Sequence, residues 1–140
     1  MIGIVDYGLG NVASIKNSLQ VLNIDSEIFR DHNKIDKYSR IILPGVGGFK
    51  LAVNNLHKFN LFNKIIEFSK KKPILGICLG MQLLLSYGYE SGKSKGLGLI
   101  NGEVKLIEAN KKLPHVGWNN LTLINNYEKF NNINFNSDFY

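Results

Sequence analysis

Apolar residues in the first half of the chain alternate between short unbroken runs and longer stretches where they recur every three or four positions, the patterns of buried strands and amphipathic helices. Met1 to Val5 reads as a buried strand, closed by the turn-forming loop Asp6-Tyr7-Gly8-Leu9-Gly10-Asn11. Val12, Ile15, Leu19 and Leu22 then keep helical spacing and predict one apolar stripe for packing on a sheet. Glu27 to Phe29 and Arg40 to Leu43 predict two more strands, the second running into Pro44-Gly45-Val46-Gly47-Gly48. Phe49 to Leu56 and Leu61 to Lys70 read as helices, Pro73 to Ile77 as a strand, and Gly80 to Leu85 as a helix. This alternation predicts an α/β, doubly wound, mostly parallel sheet. After Tyr89 the pattern changes to Gly-rich turns and short β-like pieces, Val104 to Ile107 and Leu121 to Ile124, which predict an antiparallel extension.

Composition narrows this picture. A chain of 140 residues is the size of one domain, with no composition break inside it. Seventeen Lys and Arg against eleven Asp and Glu give +6, but the charges are scattered. A nucleic-acid role needs a clustered face, and the triple lysine Lys70-Lys71-Lys72 reads as a solvated helix end. One cysteine excludes an internal disulfide framework and fits a reducing compartment. No apolar run approaches membrane-spanning length, and Met1-Ile2-Gly3-Ile4-Val5 is too short for a signal h-region. The expectation is a cytoplasmic protein without membrane or nucleic-acid partners.

The single cysteine lies in Gly76-Ile77-Cys78-Leu79-Gly80-Met81-Gln82, between a predicted strand and a predicted helix. Most free cysteines are small buried hydrophobes. Here the small flanking residues permit a sharp turn that pushes the side chain outward, the thiol version of a nucleophile elbow. A helix starting near Gly80 is expected to aim unpaired N–H groups at the sulfur. In an open parallel sheet, ligands bind beyond the carboxyl ends of the strands, where the loops at 6–11 and 44–48 and the elbow converge. The first of these loops reads as a plain turn, since Gly8-Leu9-Gly10 lacks the third glycine of a dinucleotide site. The Pro44–Gly48 loop is either a turn or half of an oxyanion hole, with the Leu79 N–H as the other half.

These residues resemble the class I (triad) glutamine amidotransferases, and within them the glutaminase subunits of imidazole glycerol phosphate synthase in histidine biosynthesis. The matching segments are 4–11, 43–49, 75–84, 96–102 and Pro114-His115-Val116-Gly117-Trp118-Asn119, in the expected order over almost the whole chain. The resemblance implies that Cys78 attacks glutamine, that Val46 and Leu79 supply oxyanion N–H donors, and that Gly45, Gly47, Gln82 and Glu90 hold the substrate. It implies no cofactor and no metal. Ammonia is expected to pass to a barrel-shaped cyclase (synthase) subunit in a heterodimer, with Asn11 and Trp118 at the interface; a core role for Trp118 is the alternative.

The family's base and its orienting carboxylate come from a His-x-Glu segment that residues 1–140 do not contain. His32, His57 and His115 do not match it. The resemblance thus implies the N-terminal portion of a single amidotransferase domain, with negligible glutaminase activity by itself. Two other readings stay open: a paralogous subunit aminating another acceptor such as a nucleotide sugar, and a catalytically dead docking module.

Overall fold

A computed structural model describes residues 1–108, 116–121 and 137–139. They fall into two units, Met1–Leu106 and Ile107–Tyr140. In the first, β1 (Ile2–Val5), β2 (Ser26–Phe29), β3 (Arg40–Leu43) and β4 (Ile74–Gly76) form a wholly parallel sheet in the order β2-β1-β3-β4. Helix α1 (Val12–Val21) joins β1 to β2, a 3-10 turn (His32–Lys37) joins β2 to β3, and α2 (Phe49–Lys58) and α3 (Leu61–Ser69) join β3 to β4.

Strand alternation distributes the buried side chains between the two faces. Val5, Ile41 and Leu43 join α2 and α3 residues Ala52, Leu56, Leu61, Ile65 and Phe68 in one buried cluster. Fully burying such a side chain contributes about 1.5–3 kcal/mol. Ile4 and Ile42, at the alternate positions, are buried but lie outside that cluster. The expected α1 stripe is only half covered: Val12, Ile15 and Leu19 are half-buried and Leu22 is exposed. Lys70 caps the C-terminal end of α3, as the sequence predicts, and Lys72 Nζ donates to the carbonyls of Asp36 and Tyr38.

Two features differ from the sequence reading. Helix α4 is short, Leu79–Leu83, because Leu85 already starts β5 (Leu85–Gly88). The expected antiparallel extension is a separate three-stranded sheet in the order β6-β5-β7, with β6 at Ser94–Lys95 and β7 at Ile100–Val104. Only its β5–β6 pair is antiparallel; β5 and β7 run parallel. The strand expected at Val104 to Ile107 thus lies earlier in the chain, ending at Val104.

In the second unit, β8 (Asn119–Asn120) pairs antiparallel with β9 (Asp138–Phe139). Most of the strand expected at Leu121 to Ile124 lies outside the described residues, as does His115. No helix among the described residues is long and apolar enough to cross a membrane.

Candidate active site

Parallel register brings the carboxyl ends of β1, β3 and β4 to one edge, because Ile4 faces Ile42 and Leu43 faces Gly76. The loops after these neighbouring strands are 6–11, 44–48 and the turn at Ile77–Cys78. Ile77 N–H donates to Leu43 O at 3.0 Å and extends the β3–β4 pairing up to the cysteine. Cys78 then takes φ 54° and ψ −119°, a conformation that side chains other than glycine rarely adopt. Its thiol is exposed. Strain of this kind costs on the order of 1–3 kcal/mol and is held in place by the surrounding packing.

That packing is main chain against main chain. A Cβ on Gly80 would lie 1.8 Å from Leu43 O and 3.0 Å from Pro44 C. One on Gly45 would lie 2.9 Å from Leu79 Cβ and 3.0 Å from Gly80 N. Both positions need glycine so that α4 can seat against the end of β3. The close fit sets the 44–48 loop beside the elbow.

The expectation of several free N–H groups at the start of α4 is corrected here. Gly80 N–H donates to Ile77 O at 2.9 Å, while Met81 and Gln82 N–H return to Cys78 O at 3.0 and 3.2 Å. The tight turn folds those donors back on its own carbonyls. Leu79 N–H has no backbone partner among the described residues, and neither does Val46 N–H. Those are the two donors expected for an oxyanion.

The other predicted residues are placed as follows. Gly45 is buried, Val46 and Gly47 are exposed, and Gln82 is half-buried on α4, one turn after Cys78. Glu90 Oε2 accepts from Phe49 N–H at 2.8 Å. It thereby caps α2, whose own N-cap is Gly48 and has no side-chain cap, with a carboxylate suited to a helix N-terminus. Asn11 is exposed and caps α1, its Oδ1 accepting from Ser14 N–H at 3.1 Å. Trp118, in the second unit, is 70% exposed and so is no core residue there. His57 stacks on Phe62 at 4.2 Å, and with His32 lines a groove of about 190 Å³ that contains none of the predicted site residues. Neither described histidine forms a hydrogen bond with Cys78. Among the described residues no group of three or more His, Cys, Asp or Glu could hold a metal ion.

Sequence reasoning missed Tyr7. Its side chain is fully buried, and its hydroxyl donates to Pro44 O at 2.7 Å. The available signal was an aromatic residue inside a loop that otherwise contains turn formers.

Residues 3–136 match the family profile described as "Glutamine amidotransferase class-I". The chain is 50% identical over 121 residues to "Imidazole glycerol phosphate synthase subunit HisH" of Lactococcus lactis subsp. lactis (strain IL1403), covering 86% of this chain and 60% of that protein. It is 45% identical over 124 residues to the protein of the same name from Caldanaerobacter subterraneus subsp. tengcongensis, covering 88% and 61%. It is 42% identical over 144 aligned residues to "Imidazole glycerol phosphate synthase subunit HisH 1" of Campylobacter jejuni subsp. jejuni (strain 81-176), covering 100% and 72%. The chain thus spans about three-fifths of the first two relatives. A solved structure titled "Crystal structure of glutamine amidotransferase" superposes with TM-score 0.63 at 16% identity, covering 73% of this chain and 54% of that one, a likeness of fold.

Proposed function

The chain belongs to the class-I glutamine amidotransferases, and on that premise we propose that Cys78 is the thiol that attacks the side-chain amide of glutamine. The tetrahedral oxyanion forms against the N–H groups of Leu79 and Val46, ammonia leaves, and water hydrolyses the resulting thioester to glutamate. Gly45, Gly47, Gln82 and Glu90 hold the substrate around the elbow. The observation that carries this reading is an exposed thiol at a positive-φ elbow, packed beside the 44–48 loop, with the N–H groups of Leu79 and Val46 free of backbone partners among the described residues. The base for the thiol is not among the described residues. The proposal assigns it, with its orienting carboxylate, to a His-x-Glu segment of the complete gene product.

The relatives' name, that of an imidazole glycerol phosphate synthase subunit, supports an ammonia acceptor on the way to that product. We assign this chain the same place: a cytoplasmic glutaminase subunit in a heterodimer, feeding ammonia to a barrel-shaped cyclase partner in histidine biosynthesis. The exposure of Asn11 and Trp118 supports their role in docking that partner.

The test is glutamate release from glutamine by the complete gene product together with its synthase partner. Cys78→Ser should lower the rate on the order of 1,000-fold or more. The 140-residue chain alone should release ammonia only at the background rate. A Cys78→Ser protein with unchanged turnover would overturn the assignment. Glutamine-dependent amination of a nucleotide sugar, with no imidazole glycerol phosphate formed, would move the acceptor to the paralogous reading.

A further inference from the structure

Tyr7 stands in a loop that its composition explains as a plain turn, and the turn is built as such: Asp6 Oδ1 accepts from Gly8 N–H at 3.0 Å, and Asp6 Oδ2 pairs with Arg30 at 2.8 Å. Nothing in that turn requires a tyrosine. The side chain is nevertheless completely buried, and Asn55 Nδ2 donates to the Tyr7 main-chain oxygen at 3.0 Å, tying the loop to α2.

A buried hydroxyl needs a partner. The partner here is Pro44 O, at the start of the glycine-rich loop. Gly45 comes so close that a Cβ on it would meet the Tyr7 hydroxyl oxygen at 2.4 Å. Because the peptide unit is planar, holding Pro44 O also fixes the direction of Gly45 N–H. The loop's other end is held where Glu90 Oε2 accepts from Phe49 N–H. Between these two anchors Gly45, Gly47 and Gly48 leave the backbone many conformations.

We infer that Tyr7 is a positioning residue for this loop: its hydroxyl fixes the Pro44–Gly45 peptide and thereby aims the Val46 N–H beside Cys78. Burial raises the pKa of this hydroxyl, and the charge of Cys78 pushes it in the same direction, so the donor stays protonated while the thiolate forms. The role in turnover rests on the proposed glutamine hydrolysis, whereas the anchoring of the loop does not.

The experiment compares the complete gene product with its Tyr7→Phe variant. Backbone 15N order parameters at Gly45, Val46 and Gly47 should fall from about 0.85 to below about 0.6 while α1 and α3 are unaffected. Turnover of glutamine should fall by about tenfold or more with KM within about twofold, the signature of a donor used in the transition state. Alkylation of Cys78 by iodoacetamide, which forms no oxyanion, should stay within about twofold. Unchanged order parameters overturn the inference, and so do lowered ones with unchanged turnover. If the unaltered protein does not hydrolyse glutamine, the proposed function fails while the order parameters still decide the anchor. Should Tyr7→Phe not fold, two substitutions of similar length carry the test: p-aminophenylalanine, which keeps a donor, should retain the rigid segment, and p-methylphenylalanine should lose it. Equal order parameters in the two overturn the inference.

Discussion

Replacing Gly80 by alanine tests whether the elbow is held by main-chain contact with β3. The backbone at Gly80 is not at positive φ, so alanine carries no conformational penalty there and the whole effect is packing. The added Cβ would stand 1.8 Å from Leu43 O, 2.6 Å from Leu43 C and 3.0 Å from Pro44 C. Ordinary carbon contacts lie near 3.5–4.0 Å, so α4 has to retreat by roughly 1.5 Å. None of these atoms belongs to a flexible side chain. Leu43 O cannot simply turn away, because it also accepts from Ile77 N–H at 3.0 Å. Overpacking a well-filled interior costs about 1–3 kcal/mol, and contacts with main chain alone put this case at the upper end. At roughly 2–4 °C per kcal/mol for a domain near 150 residues, the melting midpoint should fall by about 6–12 °C.

The same retreat separates Leu79 from the 44–48 loop, and a misplacement of about 1 Å costs on the order of 100-fold in rate. Thermal unfolding and glutamate release by Gly80→Ala measure the two effects. Gly117→Ala is the control, since a Cβ there meets nothing within 4 Å among the described residues and it should stay within about 0.5 kcal/mol. A Gly80→Ala protein melting within about 2 °C of the unaltered one would refute the packing argument.

Cys78→Gly should abolish turnover yet stabilise the fold by about 1 kcal/mol in urea titration, because it relieves φ 54° at an exposed position. Glu90→Ala should cost about 1 kcal/mol in the same titration by uncapping α2; an unchanged midpoint would mean that the bond to Phe49 N–H contributes nothing. Tyr7 also makes stability depend on alkaline pH. An unfolded tyrosine ionises near pH 10.0 while the buried one resists, so base draws the equilibrium toward the unfolded state. This contribution is complete below pH 10 and is lost as pH rises above it, at about 1.4 kcal/mol per pH unit. Tyr7→Phe should remove that share of the loss, measured as the difference between the two proteins' unfolding free energies across that range.

The division between what the sequence disclosed and what it concealed follows contact distance along the chain. Strands and helices are written in local periodicity, so β1, β3, α2 and α3 lie within a few residues of where Met1–Val5, Arg40–Leu43, Phe49–Leu56 and Leu61–Lys70 placed them. The elbow was legible for the same reason, since Gly76, Cys78 and Gly80 are neighbours and a sharp turn is a local event. Pairings that span the chain leave no such trace. Tyr7 meets Pro44 across 37 positions and Glu90 meets Phe49 across 41, and each looks ordinary in its own segment. Even Gly80, read as part of a turn, is required more strongly by Leu43, a residue on another strand. The proposed nucleophile could therefore be singled out from its own segment, whereas the residues proposed to aim its oxyanion donor emerge only when the sheet brings the loops after β1, β3 and β4 to one edge.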